Sequence, residues 1–459
     1  NGRTVMENFK SFITEQKDEK YKVVVISAEH GEKAKTAERI KAEASELNFP
    51  HYIAPMDGTY TKFENGVRTI HKADDEKGFE IHPSDTVIFV RGTPERDSWL
   101  DLISQFQRAS YCVVNSRDCL EVSADKYRTY LRLKDFGLTQ PKTVLIPNKD
   151  SIEKSFENLD TKFPIILKTL RGSKGVGVLF IESERALNSI VQLLFKQDKS
   201  ADILIQEYIK TKFDVRVLVL GGKVIATMQR DVIEGDFRSN ASLGAKVKKY
   251  NLSELEIEHS ILAAKAVGGL FVAVDFIASS DPKNKPPYIL EVNSSPGTEN
   301  IEEANNKNIV KDILNHFTNS NIRYSVPTEC GWEEVVTIKP FGELTGKFDT
   351  GNYKYPVLHA ENVKVNGKKV TFTTHDKTIT TNLIGKYVSV TGGGEDERFV
   401  VELEFEFAGT NFGKIQFGLD DRDRMGTDVL LNRKLMRTLN VMVNPQRKYL
   451  ITTKLSLDK

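Results

Sequence analysis

The sequence predicts an α/β domain, then an α+β domain, then a domain that is mostly β. Three observations carry this reading. Apolar strands alternate with amphipathic helical segments at the start, carboxylates and glycine-rich turns crowd the middle third, and a period of two takes over near the end. The length of 459 residues fits two to four compact domains, at roughly 100–200 residues each.

Residues 21–27 (YKVVVIS) read as a buried strand, 33–47 as an amphipathic helix and 85–92 (DTVIFVRG) as a second strand, the pattern of a parallel sheet with covering helices. From about 125 a helical run, DKYRTYLRLKDFG, leads through Pro141 into charged strands and helices that end with a helix at 305–317. Residues 319–331, with Asn, Ser, Pro and Gly, form the best linker. In residues 399–409 (FVVELEFEFAG), Glu402, Glu404 and Glu406 alternate with Leu403, Phe405 and Phe407, so that sheet has one wet face. One helix is expected near 428–439. The domain bounds are therefore 1–122, 123–318, a linker at 319–331, and 332–459.

Composition narrows the function classes. Apolar residues make up 39% and charged residues 28%, as in ordinary soluble proteins. Lysine plus arginine total 65 against 64 acidic residues, so no global positive field attracts nucleic acid. Three cysteines, Cys112, Cys119 and Cys330, match neither a disulfide framework nor a zinc ribbon and point to a reducing compartment. No apolar run approaches the roughly 18–20 residues of a membrane span, and residues 1–20 lack a signal-peptide core. The expectation is a soluble, unprocessed, cytoplasmic protein.

The run IILKTLRGSKGVGVLF, residues 165–180, places Lys168 at the end of an apolar strand ahead of Gly172, Gly175 and Gly177. Glycines let backbone N–H groups approach phosphates and lysine adds a point charge, although the same run also reads as a plain structural turn. It is not a P-loop, because GxxxxGK[ST] is absent and a strand follows. ADILIQEYI (201–209) is an apolar strand that breaks into Gln206, Glu207 and Tyr208. Such a strand end can offer backbone groups to adenine and a carboxylate to ribose, or be an edge strand with solvated side chains.

The carboxylates are more specific. FVAVDFI (271–277) buries Asp275 within an apolar strand, and YILEVNSSPG (288–297) puts Glu291 and Asn293 two apart, on one face of the next strand. Buried carboxylates cost several kcal/mol unless a cation or basic partner compensates them. Three hard oxygen ligands beside ATP phosphates favour Mg²⁺. A salt bridge to Lys or Arg is the competing reading.

The order Lys126, Lys168 with its glycine loop, QEYI, Asp214-x-Arg216, EGDFRSN (234–240), Asp275 and Glu291-x-Asn293-x-x-Pro-Gly resembles the RimK-type ATP-grasp ligases, closely over residues 120–318. Those enzymes add glutamate to the C-terminus of a small-subunit ribosomal protein. The resemblance implies that Lys126 and Lys168 touch ATP phosphates and that Gln206, Glu207, Tyr208 and Ile209 hold adenine and ribose. It implies further that Asp214, Arg238 and Asn240 complete the nucleotide side, with Asp275, Glu291 and Asn293 on Mg²⁺, two ions in number, for which Mn²⁺ can substitute. Arg216 and Arg230 suit substrate carboxylates or an acyl-phosphate; Arg230 as an exposed strand residue is the alternative. The segment ASLGAK (241–246) lacks the paired glycines of the family at that point.

LTGKFDTGNYKYPVLHA (344–360) contains Asp349-Thr350-Gly351, the tripeptide of aspartic proteases. In those enzymes two Asp carboxylates share one proton. A single DTG requires two copies to meet across a two-fold axis, as in retroviral proteases, or a second carboxylate such as Asp421. Residues 335–451 resemble the retropepsin-like family named RimK-associated, ATP-dependent zinc proteases, through DTG, LHA, FGLDDRDRMGTDVLLNRKLM (417–436) and NPQRKYLI. Departures are a longer loop around Asn352 and Pro356, and Asn432 where the family has Gly. Eight histidines without HExxH or paired-ligand spacing give zinc little support.

The expected function is an ATP-dependent carboxylate–amine ligase acting on a protein or peptide C-terminus, with free glutamate as co-substrate, in a homodimer or homotetramer. The alternative is a glutathione-synthetase-like ligase of small molecules whose β domain is a dimerising or recruiting module.

Overall fold

The computed structural model describes residues 21–28, 35–64, 67–169, 177–199, 201–232, 246–318, 324–325, 327–391 and 394–453. The chain divides into two units, Asn1–Tyr324 and Ser325–Lys459.

The first unit begins with a parallel sheet. Its strands β1 (Lys22–Ser27) and β2 (His51–Pro55) are separated from β6 (Thr86–Arg91) and β7 (Cys112–Val114) by a small antiparallel sheet of β3 (Tyr60–Glu64), β4 (Val67–His71) and β5 (Phe79–Ile81). The parallel order is β2-β1-β6-β7. β1 and β6 are covered on both faces, which is why they read as unbroken apolar runs. Helix Lys35–Glu46 buries Ala37, Ile40 and Ala44, one stripe at helical spacing.

Two antiparallel sheets follow. β8 (Thr143–Ile146), β9 (Ile165–Thr169), β10 (Val178–Ile181) and β11 (Ile203–Glu207) lie in the order β10-β9-β11-β8. Helices Ile152–Leu159 and Glu184–Gln197 share a core with them through Ile152, Leu159, Leu187 and Val191. The second sheet has β12 (Phe213–Leu220), β13 (Lys223–Asp231), β14 (Val247–Lys248), β15 (Phe271–Ile277) and β16 (Tyr288–Asn293), in the order β14-β13-β12-β15-β16.

One face of this second sheet, Val215, Val217, Val219, Val272, Val274 and Phe276, packs with Ala263, Ala264 and Val267 at helix Glu254–Ala266. The opposite face is divided along its length. At one end Leu218, Leu220, Met228, Phe271 and Ala273 press on Val23, Val87, Phe89 and Val114 of the parallel sheet. At the other end the same strands carry Asp214, Arg216, Arg230 and Asp275. Each large aliphatic or aromatic side chain buried at the apolar end stabilises the fold by about 1.5–3 kcal/mol, so packing at one end fixes the strands that display charge at the other.

The second unit is mostly β. β17 (Thr328–Gly331), inside the stretch expected to be linker, pairs in parallel with β27 (Val441–Asn444). Between them run β18 (Glu333–Ile338), β19 (Gly342–Asp349), β20 (Val357–His359), β21 (Glu361–Asn366), β22 (Lys369–Thr374), β23 (Lys377–Thr391), β24 (Gly394–Phe407), β25 (Thr410–Asp420) and β26 (Val429–Asn432). They form one sheet, β18-β19-β26-β20-β25-β24-β23-β22-β21, that folds back so that β18 also pairs with β24. On β24, Leu403, Phe405 and Phe407 are buried and Glu404 is exposed, as the alternation predicts. The expected helix is Arg433–Leu439, capped by the Asn432 side chain on the Leu435 N–H at 2.9 Å.

Glu334 is fully buried and ties residues 450–452 to β18. Its Oε1 accepts from the N–H groups of Gly331 (2.6 Å), Leu450 (2.8 Å) and Ile451 (3.3 Å), and its Oε2 from the Thr452 N–H (3.0 Å) and hydroxyl. Five donors offset the cost of burying the charge.

No helix among the described residues is long and apolar enough to cross a membrane.

Candidate functional site

The charged end of the second sheet is built by register. Arg216 on β12 lies opposite Asp275 on β15, and Asp275 lies opposite Glu291 on β16. Asp214 on β12 lies opposite Arg230 on β13. Arg216 binds Asp275 through two parallel bonds, Nε to Oδ1 at 2.8 Å and Nη2 to Oδ2 at 2.7 Å. Arg230 binds Asp214 in the same manner, both at 2.7 Å, and extends Nη2 to Asp275 Oδ2 at 2.8 Å.

Arg230 is therefore no exposed strand residue: its side chain is 7% accessible and joins two carboxylates. Burial alone lowers a guanidinium pKa, but Asp275 and Asp214 outweigh it and the net direction is upward. Burial likewise raises Asp275, yet Arg216 and Arg230 hold its carboxyl well below the usual range. Asp275 thus has the basic partners that the competing sequence reading required. Three donors fill three of its about four lone-pair positions, leaving one at Oδ1.

Glu291 contrasts with it. Its side chain reaches solvent, and among the described residues its carboxylate has no hydrogen-bond or ion-pair partner. Surrounding protein and the Asp275 charge raise the Glu291 carboxyl above its ordinary value, against the pull of Arg216, Lys168 and Arg230. An under-neutralised carboxylate beside a second carboxylate, with the Asn293 amide two residues on, is a donor set suited to a hard divalent cation. Asn293 Oδ1 also accepts from the Ser295 N–H at 2.8 Å.

Two lysines converge, one from β9 and one from the helix Lys126–Asp135 that packs beside β16. Lys126, first residue of helix Lys126–Asp135, donates from Nζ to the Thr169 carbonyl at 3.2 Å. Lys168 is half-buried on β9. Burial moves the Lys168 ammonium down to about 8, opposed by Glu291 and reinforced by Lys126. Lys126 is lowered by burial too, and it also feels Glu291. Gly177 ends the glycine run with φ +85°, where any side chain would collide with the Thr169 hydroxyl. Gly172, Gly175, Arg238 and Asn240, with the segment EGDFRSN and residues 241–245 of ASLGAK, lie outside the described residues.

On β11, Gln206 is buried and its amide donates to the Thr143 hydroxyl at 2.8 Å. Glu207 Oε2 accepts from the Lys142 N–H at 3.2 Å. The Tyr208 ring meets Phe180 edge-on at 5.0 Å, and Ile209 beside it is half-buried.

In the second unit, Asp349 is half-buried at the end of β19, opposite Asn432 of β26. Its Oδ1 accepts from the Gly351 N–H at 2.8 Å, whereas Asp421 is exposed and accepts from the Asp423 N–H at 3.0 Å. His359, Glu361 and Asp423 bring ligand-type atoms within 4.8 Å of one another, a grouping invisible in linear spacing. However, His359 Nδ1 accepts from the Arg422 N–H at 2.9 Å, which places the ring hydrogen of a neutral imidazole on Nε2, 3.7 Å from Glu361. That tautomer is a donor towards Glu361. The three cysteines are free, and burial pushes each thiol up to about 12, far from a reactive thiolate.

The Lys168 environment gives a pH prediction. Phosphate binding at a lysine depressed to about 8 must restore its proton, so nucleotide affinity is expected to fall as pH rises past about 8. Calorimetry at pH 8.5 in buffers of different ionisation enthalpy is expected to show net proton uptake on ATP binding, absent at pH 7 and in Lys168→Met. Uptake that persists in Lys168→Met would assign the proton elsewhere.

A model of the RimK-like ATP-grasp domain matches residues 123–317. A "Probable alpha-L-glutamate ligase" of Marinomonas sp. (strain MWYL1) is 36% identical over 230 residues, covering 50% of this chain and 74% of that protein. The protein of that name from Coxiella burnetii (strain Dugway 5J108-111) is 34% identical over 282 residues, covering 60% of this chain and 91% of that one. Among solved structures, D-alanyl-alanine synthetase A from Vibrio cholerae O1 biovar eltor str. N16961 superposes with TM-score 0.51 at 17% identity, covering 66% and 98% of the two chains. The ATP-grasp ligase PsnB complexed with minimal precursor gives TM-score 0.50 at 17% identity, covering 65% and 98%. At such identities these two structures establish the fold alone. Sequence kinship across most of the glutamate ligases' length, with an ATP-grasp fold and a cluster of lysines and carboxylates, means that the chain belongs to the RimK-like ATP-grasp family of ATP-dependent carboxylate–amine ligases.

Proposed function

We propose that the first unit links glutamate through its amine to the C-terminal carboxylate of a protein or peptide. The glutamate ligase names of its relatives support the amino acid. The observation that carries the chemistry is the Glu291 carboxylate, without a hydrogen-bond or ion-pair partner among the described residues, set opposite Asp275 with the Lys126 and Lys168 ammonium groups within its electrostatic reach. An acceptor carboxylate oxygen attacks the γ-phosphorus of ATP, the bond to the β–γ bridging oxygen breaks, and ADP leaves. The amine nitrogen then attacks the acyl carbon of the acyl-phosphate, the carbon–oxygen bond breaks, and phosphate departs as the amine loses a proton.

The chain's own groups bind and orient. Lys126 and Lys168 hold phosphate oxygens, and the Arg216 Nη1 group, outside its bonds to Asp275, takes a substrate carboxylate. Gln206 to Ile209 edge the nucleotide pocket. Glu291, Asn293 and the remaining Asp275 Oδ1 position would hold Mg²⁺, or Mn²⁺ in its place, which when bound neutralises charge on the transferring phosphoryl group.

For the second unit, we propose trimming of the ligated product by Asp349 paired with its copy in a second chain. The single DTG and the Asp349 position at a strand end favour this over a purely recruiting module. One experiment tests both units: incubation with ATP, Mg²⁺, glutamate and candidate acceptors, read by mass spectrometry and phosphorus NMR. The expected result is ADP and phosphate with a glutamate adduct on a polypeptide, and longer adducts with Asp349→Asn. Pyrophosphate growing with product would end the acyl-phosphate reading, and a small-molecule dipeptide as sole product would end the polypeptide acceptor. Unchanged adduct length in Asp349→Asn and in Asp421→Asn would leave the second unit as a recruiting module.

A further inference from the structure

We propose that Asn115 and Arg91, both in the N-terminal parallel layer, are positioning residues that set the metal-binding geometry of β15 and β16. The inference rests on the ligase reading. Both residues stand at the carboxyl ends of parallel strands: Arg91 closes β6 and Asn115 follows β7. That is the edge of an α/β sheet where ligand sites assemble.

An Asn amide has two N–H donors and two acceptor positions. Asn115, 1% accessible, uses all four on the catalytic sheet. Its Nδ2 donates to the Phe271 and Ser294 carbonyls, each at 2.7 Å, and its Oδ1 accepts from the N–H groups of Leu270 (2.8 Å) and Phe271 (3.1 Å). Phe271 opens β15, the strand of Asp275, and Ser294 directly follows Asn293 at the exit of β16. One side chain therefore ties the entry of one carboxylate-bearing strand to the exit of the other.

A second tie acts beside it. Buried Arg91 donates from Nη2 to the Pro296 carbonyl at 2.7 Å, and the Gly92 N–H donates to the Ser295 hydroxyl at 2.7 Å. The Ser295 N–H in turn donates to Asn293 Oδ1 at 2.8 Å, so the N-terminal layer reaches the Asn293 side chain through one intermediary. Outer groups of this kind, acting through the ligands, change metal affinity by about 10–100-fold when removed. A role in folding alone would lower stability and leave metal affinity unchanged.

The full chain is tested by electron paramagnetic resonance of Mn²⁺ binding in the presence of a non-hydrolysable ATP analogue. Asn115→Asp keeps the two acceptor bonds and loses the donors to Ser294 and Phe271. Ser295→Ala removes only the hydroxyl that receives Gly92. Tyr111→Phe is the control, since it deletes a buried bond, from the Tyr111 hydroxyl to the Ile81 carbonyl at 3.1 Å, that involves neither β15 nor β16. The Mn²⁺ dissociation constant is expected to rise about tenfold or more in Asn115→Asp, and measurably in Ser295→Ala. It should stay at the wild-type value in Tyr111→Phe, with metal-free nucleotide affinity unchanged throughout. Wild-type Mn²⁺ affinity in both Asn115→Asp and Ser295→Ala overturns the proposal, and if Asn115→Asp does not fold, Ser295→Ala decides by the same criterion. A wild-type chain with no nucleotide-dependent Mn²⁺ binding removes the ligase reading, and this inference with it.

Discussion

Glu291→Gln is expected to lower ATP turnover by on the order of 10²–10³-fold, the loss typical when one preorganised electrostatic group is removed from a phosphoryl- or acyl-transfer site. Stability is expected to hold or rise. The Glu291 carboxyl is raised above its unfolded value, so the folded state binds more protons than the unfolded state and stability falls as pH climbs through that window. A neutral isostere removes this penalty and the repulsion from Asp275. Steady-state ADP release and thermal melting followed by circular dichroism check both halves. Turnover equal to wild type in a folded variant would refute the metal role of Glu291.

Arg230→Met is expected to cost about 3–5 kcal/mol of unfolding free energy, because it removes at once the buried guanidinium that two buried carboxylates share. Asp214 loses both of its bonds to Arg230, and Asp275 keeps only Arg216. Arg216→Met is expected to cost less, since Arg216 is more accessible and serves one carboxylate. Urea unfolding of both variants provides the comparison. A loss below about 1 kcal/mol for Arg230→Met, the range of exposed pairs, would show that water reaches this network. Loss of turnover without loss of stability would support a role for Arg230 on substrate.

Much of this architecture was legible in the residues. FVAVDFI and YILEVN are strands at the bounds their apolar runs indicate, and the alternation of Glu402 to Phe407 marks a one-faced sheet. Buried Asp275 announced itself because a carboxylate inside an apolar run must have a partner. Which partner was not legible. The choice of Arg216 and Arg230 depends on register between strands about 45 to 59 positions apart, and local sequence does not encode register. The same limit hid Asn115 and Arg91, whose bonds span 155 to 205 positions. β17 escaped because its partner β27 lies more than a hundred residues later, and Thr-Glu-Cys-Gly has no period of its own.

The Glu334 anchor has a consequence for the growing polypeptide. Its donors at Leu450, Ile451 and Thr452 emerge 116 to 118 positions after it. At about 5–20 residues per second, roughly 6 to 24 s separate their synthesis. Throughout that interval the carboxylate cannot be desolvated, so β18 must stay hydrated and cannot join a finished core. The ligase unit, whose last helix ends at Phe317, is by then already complete. Translation therefore imposes an order: the ligase half matures first, and the β half closes late, in one step, as β27 and residues 450–452 arrive.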